Sequence, residues 1–232
     1  MNKYYSLAQE GREATINVYG DITSWPWLES DVSAYNLSRE IEELDVDVIN
    51  VYINSYGGEV AEGLAIYNSL KRHNAKVVTV DDGFACSIAS VIFMAGDERK
   101  MSDASLLMIH NAWTYASGNA EELRKAAEDL DKITSASVAA YMTNVTITEE
   151  EVKQLMDDET WLTPQECIEK GFATEILAGG TDKKASQSVR KSIFNTLTGR
   201  QKEPEPKPQS GSQPEPMEAE MQVKEFVKAL FA

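Results

Sequence analysis

The sequence predicts an α/β fold built on a mainly parallel sheet. Apolar and β-branched runs at residues 46–53 and 76–80 indicate buried strands, and a segment with helical periodicity follows each of them. Strands that alternate with helices form right-handed βαβ crossovers on a parallel sheet. We therefore expect the chemistry to be carried where these strands end, at one edge of the sheet.

The other elements follow from hydrophobic period, caps and breakers. Further strands are predicted at residues 14–19, 105–109 and 173–177. A first helix, capped at Ser30 and Asp31, has apolar positions at Leu37, Ile41 and Leu44. Later helices are predicted at residues 59–73, 87–96, 119–143, 148–156 and 163–171, the fourth of them opened by a capping box and the last ended by Gly171.

The helix over residues 119–143 is longer than a helix that only covers a sheet. Leu123, Ala126, Leu130, Ile133 and Val138 form its apolar stripe, and charged residues surround them. We expect this helix to project from the domain and to pack against another subunit.

Composition divides the chain into three parts. Residues 1–178 are predicted to form one domain, and residues 179–216 a disordered linker that contains five of the seven prolines. Residues 217–232 have the apolar spacing of a short amphipathic helix. Such a helix at the end of a linker is either a docking element or a tail without a role.

Net charge and cysteine usage exclude several classes of protein. The chain has 232 residues and a net charge of -16, which argues against nucleic acid or an anionic membrane as the main partner. Its two cysteines, Cys86 and Cys167, make no metal or disulfide pattern and are expected to be buried in a reducing cytosol. We see neither a secretion signal nor a run long enough to span a bilayer, so we expect a cytoplasmic protein without metal or cofactor.

Ser87 is the candidate nucleophile. It follows the strand at residues 76–80 and a glycine turn at Gly83, and it precedes an apolar helix. A serine at such a strand-to-helix turn exposes its hydroxyl and has free helix amides beside it. Small residues before a buried helix are also explained by close packing alone. A catalytic role for Ser87 therefore requires a base, an acid and an oxyanion hole elsewhere in the chain.

Histidine is the side chain best suited to activate a serine at neutral pH. The chain has two histidines, His73 and His110. His73 lies among polar residues at a predicted helix end, which favours a surface charge. His110 ends the apolar strand at residues 105–109, at the edge where Ser87 is expected, and it is therefore the candidate base.

A carboxylate and two amides would complete the site. Asp157, Asp158 and Glu159 lie on one bend before Trp161, which is expected to anchor the bend in the core. Gly58 and the residue after the serine, Ile88, can direct backbone amides at a developing oxyanion. Gly57-Gly58 is also compatible with an ordinary strand-to-helix turn.

With these residues assembled, the chain resembles the ClpP-type serine peptidases. Residues 54–58 (Asn-Ser-Tyr-Gly-Gly) resemble the family's Asn-Ser-Pro-Gly-Gly, and residues 83–87 (Gly-Phe-Ala-Cys-Ser) resemble its Gly-x-Ala-Ala-Ser. Residues 108–110 match its Met-Ile-His, and the resemblance extends over roughly residues 14–177. The continuation at residues 89–97 and the pair Thr160-Trp161 are most similar to ClpP-related head maturation proteases of tailed phages and prophages.

The resemblance implies a role for each matching residue. It implies Ser87 as nucleophile, His110 as base, Glu159 as acid with Asp158 as the alternative, Gly58 and Ile88 as oxyanion hole, and Gly57, Gly58 and Asn111 as substrate-binding residues. Glu159 stands where the family has aspartate. Tyr56 and Cys86 also depart from the family's proline and alanine.

The resemblance further implies a ClpP/crotonase-like spiral of βαβ units, without an ATP site, assembled into homo-oligomeric rings that are heptameric or stacked. Its substrates would be phage scaffold and capsid proteins or the chain's own tail, and the C-terminal helix would dock to partners. The alternatives are a general Clp-like protease fed by an ATP-driven unfoldase, an acyl-CoA enzyme of the crotonase type, and an inactive assembly protein. The crotonase reaction does not need the pair of Ser87 and His110.

Overall fold

A computed structural model describes residues 6–25 and 32–177 of the chain. The strands are β1 Ser6–Glu10, β2 Glu13–Tyr19, β3 Val48–Ser55, β4 Lys76–Cys86, β5 Glu98–Ser102, β6 Leu106–Ile109, β7 Thr160–Leu162 and β8 Glu175–Leu177. The helices are α1 Ala34–Glu42, α2 Val60–Arg72, α3 Ile88–Phe93, α4 Ala120–Met142, α5 Glu149–Asp157 and α6 Pro164–Lys170. The predicted linker, the C-terminal helix and the cap at Ser30 and Asp31 lie outside the described residues.

The sheet confirms the predicted α/β class. Its strands run in the order β1-β2-β3-β4-β5-β8, and only β1 pairs antiparallel along this path. Alternating residues of β2 and β3 are buried, so one face of these strands lies against the core and the other face is only partly covered. All six residues of α3 are buried, which places this helix within the core.

The edge of β4 that is not paired with β3 is shared by two strands, so the sheet forks there. Its first half, at Val78 to Asp81, pairs with β5, while its last residues, Phe84 to Cys86, pair with β6. Strand β7 then pairs antiparallel with β6. The unit β4-β6-β7 is therefore a branch of the main sheet, and its end carries the candidate site.

Because of this fork, the strand predicted at residues 76–80 is longer in the structure than expected. The chain does not turn at Gly83 but continues as strand to Cys86, because the end of β4 pairs with β6 and Phe84 N donates to Asn54 Oδ1 at 3.2 Å. The helix predicted over residues 87–96 is also shorter, ending at Phe93.

Three strands, β1, β5 and β7, were not predicted. Strand β5 shows why, since it reads as a charged segment, Glu98 to Ser102, although Arg99 and Met101 are buried. The guanidinium of Arg99 donates to the carbonyls of Gly96 and Phe172 at 2.9 and 2.8 Å. These bonds satisfy a buried cation that composition alone assigns to the surface.

Helix α4 agrees with the predicted bounds, and its first half is exposed. Asn119 and Glu122 form a capping box at its start. Its buried residues are confined to the last turns, at Ser137, Val138, Ala140 and Tyr141. Both cysteines are buried, as predicted. Among the described residues, no helix combines the length and apolar character that spanning a membrane requires.

Candidate active site

Ser87 lies between β4 and α3 in a strained backbone conformation. Its φ of 55° and ψ of -126° are unusual for a residue with a side chain. The Ser87 amide donates to the carbonyl of Met108 at 2.8 Å, and its own carbonyl accepts from the Ser90 amide at 3.0 Å. This geometry is the strand-to-helix turn that presents a serine hydroxyl at the edge of a sheet.

The pairing of β4 with β6 brings His110 to Ser87. Cys86 lies opposite Met108 in a parallel register, so the residues that follow the two strands emerge at the same edge. His110 Nε2 lies 2.8 Å from Ser87 Oγ, and the histidine side chain is only 6% exposed. The distance is that of a hydrogen bond, and the serine hydroxyl is its donor whenever Nε2 is unprotonated.

His73 is far less exposed than the prediction of a surface charge implies. It is half-buried, its Nε2 lies 3.1 Å from the carbonyl of Leu44, and its Nδ1 accepts from the Ala75 amide at 3.0 Å. A ring that accepts at Nδ1 and donates at Nε2 is the neutral tautomer. His73 therefore ties two backbone segments together.

The structure separates the three carboxylates on the bend. Ile109 lies opposite Thr160 in the antiparallel pair β6-β7, so Glu159 comes next to His110, and its Oε1 lies 4.0 Å from His110 Nδ1. Asp158 Oδ2 instead accepts from the side chain of Gln154 at 3.0 Å. Asp157 Oδ1 accepts from the side-chain amide of Asn111 at 2.7 Å.

The loop at Gly57 and Gly58 lies directly against Ser87. Both glycines have positive φ, at 99° and 146°. A Cβ on Gly57 would come within 2.7 Å of the Ser87 Cβ, and one on Gly58 within 2.0 Å of the Ile22 carbonyl oxygen. Only glycine fits at either position.

Two hydrogen bonds hold this loop against Ile22. The Ile22 amide donates to the Gly57 carbonyl at 2.9 Å, and the Glu59 amide donates to the Ile22 carbonyl at 2.8 Å. Neither bond uses the amide of Gly58. Ile88 N is 3.2 Å from the position that a Gly57 Cβ would take, so the amide nitrogen after Ser87 lies beside the same loop.

Aromatic rings connect the three segments of the site. Tyr56 contacts Phe84 edge to face with ring centroids 5.6 Å apart, and Phe84 contacts Trp161 in the same way at 5.5 Å. Trp161 is buried, as predicted for an anchor of the carboxylate bend. The contacts that Phe84 makes with Tyr56 and Trp161 were not predicted. A single phenylalanine between a glycine and small residues does not indicate which rings it will pack against.

The arrangement supports nucleophilic attack by an activated hydroxyl. The serine has a hydrogen-bonded imidazole, the imidazole has a nearby carboxylate, and the glycine loop lies directly against the serine. Cys86, the residue before Ser87, does not compete, because burial raises the pKa of its thiol well above the usual range.

Comparisons with known proteins place the sequence among the Clp proteases. Residues 29–180 match the sequence profile of the Clp protease family. The chain is 32% identical over 131 residues to the ATP-dependent Clp protease proteolytic subunit of Deinococcus radiodurans, over 56% of this chain and 64% of that protein. It is 33% identical over 153 residues to the protein of the same description in Bacteroides fragilis, over 63% of this chain and 74% of that protein.

Proposed function

We propose that this chain, which belongs to the Clp protease family, is a serine peptidase with Ser87 as its nucleophile and His110 as its general base. The observation that carries the proposal is the 2.8 Å contact between Ser87 Oγ and His110 Nε2. The chain has two histidines, and packing alone does not require the buried one, His110, to contact a serine whose φ is positive.

The proposed reaction has two steps. His110 Nε2 takes the hydroxyl proton as Ser87 Oγ attacks the peptide carbonyl, and the amides of Gly58 and Ile88 bind the resulting oxyanion. His110 then gives the proton to the leaving amine, which leaves an acyl ester on Ser87. A water molecule, deprotonated by His110, hydrolyses this ester and restores the hydroxyl.

Glu159 is proposed as the acid that stabilises the imidazolium. Its Oε1 is 4.0 Å from His110 Nδ1, whereas the alternative, Asp158, is bonded to Gln154 at the end of α5. The substrate peptide is proposed to lie as an added strand beside Gly57 and Gly58. Asn111, bonded to Asp157, would then border the substrate next to His110.

The test is cleavage of casein by the wild type and by Ser87→Ala, with the intact mass of each chain recorded. Loss of the nucleophile is expected to lower the rate by several orders of magnitude. His73→Gln is the matched control, because it alters the other histidine and is expected to leave the rate within twofold. Equal rates for the wild type and Ser87→Ala would refute the assignment.

We further propose phage scaffold and capsid proteins, or the chain's own tail, as substrates. This rests on the resemblance at residues 89–97 and on the proline-rich segment beyond the family match, which ends at residue 180. Such processing would take place in the bacterial cytoplasm or inside the prohead. The purified chain mixed with the scaffold and major capsid proteins of the same genome should cleave them without ATP, and the wild type but not Ser87→Ala should have a trimmed C-terminus.

A second candidate is a proteolytic subunit that depends on an ATP-driven unfoldase. The description of the relatives as ATP-dependent favours it. The two candidates differ in what the purified chain does alone. Cleavage of an intact capsid protein without any ATPase supports the first, whereas cleavage restricted to unfolded casein supports the second.

The packing of one ring against another is proposed to use the exposed side of α4. Leu123 and Ile133 are 43% and 41% exposed, and they lie on one side of the helix with Ala126 and Leu130. The double variant Leu123→Glu and Ile133→Glu is expected to lower the mass measured by light scattering. Arg124→Glu, a charge change on the same helix, should leave it unchanged, and an unchanged mass in the double variant would contradict the proposal.

A further inference from the structure

A pair of buried hydroxyls lies behind the nucleophile. Ser90 Oγ is 2.5 Å from the carbonyl oxygen of Ser87 and 2.8 Å from the hydroxyl of Tyr141. Ser90 is 0% exposed and Tyr141 1% exposed, so protein atoms surround both groups. The serine is on α3 and the tyrosine is 51 residues later, near the end of α4.

The direction of both hydrogen bonds follows from their partners. A carbonyl oxygen can only accept, so the hydroxyl of Ser90 donates to Ser87. The hydroxyl of Tyr141 must then donate to Ser90 Oγ. Burial raises the pKa of Tyr141, which keeps its proton in place for this role.

We propose that Ser90 and Tyr141 are positioning residues that hold the strained turn at Ser87 in its reactive geometry. The Ser87 carbonyl accepts two bonds, from the amide and from the hydroxyl of Ser90. Without them, the turn can relax from its φ of 55°, which moves Oγ relative to His110 Nε2. This inference rests on the proposed role of Ser87 as nucleophile.

Helix α4 also holds the other half of the catalytic pair. The amide of Ala112, two residues after His110, donates to Thr134 Oγ1 at 3.2 Å. Tyr141 and Thr134 are on the same helix, so α4 bonds both to the Ser90 side chain behind Ser87 and to the backbone two residues after His110. The contact between the serine and the histidine therefore depends on the position of α4 against α3 and the residues after His110.

Tyr141→Phe is the cleanest test, because it removes one hydroxyl and keeps the ring that packs on Phe172. Ser90→Ala is the second variant, since it removes the other hydroxyl without adding atoms. The full-length chain is treated with a fluorophosphonate probe, which forms a bond from serine oxygen to phosphorus and expels fluoride. Both the labelling rate and the final number of labelled sites per chain are measured.

Each variant is expected to label at least tenfold more slowly than the wild type and to reach the same final labelling. In peptide hydrolysis, kcat should fall while KM stays within twofold. A merely structural role would instead lower the final labelling and leave the rate of the folded fraction unchanged. The thermal midpoint of each variant is recorded to identify loss of folded protein.

Thr79→Val is the matched control. Thr79 is buried, and its hydroxyl donates to the carbonyl of Phe93 at 2.8 Å, at the far end of α3. Removal of this bond should lower the thermal midpoint and leave the labelling rate within twofold. Normal labelling of Ser87 in the wild type with unchanged rates in Tyr141→Phe and Ser90→Ala would overturn this inference alone. Absence of labelling in the wild type would overturn the proposed function as well.

Discussion

Replacement of Glu159 by glutamine tests how strongly a distant, partly exposed carboxylate supports the histidine. The carboxylate oxygen is 4.0 Å from His110 Nδ1. At that separation, and at an effective dielectric constant of about 20, an ion pair is worth roughly 4 kcal/mol. The Glu159 side chain is 36% exposed, so water screens the pair, and we reduce its worth to ~2 kcal/mol.

A loss of ~2 kcal/mol in the transition state corresponds to about a 30-fold fall in kcat. This is far less than the roughly 10⁴-fold loss typical of a buried triad aspartate changed to asparagine. The assay is kcat for a fluorogenic peptide under saturating substrate, with Asp158→Asn as the matched control. Asparagine can still accept from Gln154, so that variant should stay within twofold of the wild type.

Two results would refute this reasoning. A greater loss in Asp158→Asn than in Glu159→Gln would move the acid to the neighbouring residue. A loss near 10⁴-fold in Glu159→Gln would mean that the carboxylate acts at close range and free of solvent, contrary to its distance and exposure.

Three further changes probe the loop beside Ser87 and the strand below it. Gly58→Ala places a Cβ 2.0 Å from the Ile22 carbonyl oxygen, so the loop must shift and kcat for the peptide should fall by about 100-fold or more. Tyr56→Ala removes an edge-to-face contact with Phe84 worth about 1 kcal/mol, and kcat should fall about fivefold. Burial raises the folded-state pKa of Asp81 well above its unfolded value, so this group favours folding most below the unfolded pKa and increasingly opposes it as the pH rises towards the folded pKa. Asp81→Asn should therefore raise the thermal midpoint at pH 8 more than at pH 5.

Controls separate these effects from general damage. Gly11→Ala adds a Cβ at another positive φ with no atom within 4 Å, so it should leave kcat unchanged. Tyr56→Phe keeps the ring and should behave as the wild type. An active Gly58→Ala, or a gain in Asp81→Asn that does not grow with pH, would contradict the corresponding prediction.

The sequence was informative where local chemistry decides structure. The β-branched run before Ser87, the box at Thr148 and the glycine at 171 each set an element without help from distant residues. It failed at the end of β4, where Asp82 and Gly83 are poor strand formers. Pairing with β6, formed by residues 106–109, overrides that local preference.

The carboxylate illustrates a second limit of sequence reasoning. Three consecutive acidic residues have nearly the same local chemistry, and only the resemblance to a family favoured Glu159. What separates them is tertiary structure, because Glu159 adopts a φ of 47° and precedes a three-residue strand that pairs with β6. The hydrogen bond from Tyr141 to Ser90 could not be predicted for the same reason. The sequence alone allows each hydroxyl many possible partners, and only tertiary structure selects one.

The order of the candidate groups in space follows from the order of the branch strands. Ser87 follows β4, His110 follows β6, and Glu159 precedes β7, which runs antiparallel to β6. All three therefore lie at one edge, on neighbouring strands, and the strand order β4-β6-β7 is also the order of proton transfer and charge stabilisation. Because side chains alternate along a strand, a register shift of one residue in β6 would turn His110 to the opposite face. The register of a four-residue strand is thus as necessary to the proposed chemistry as the catalytic side chains are.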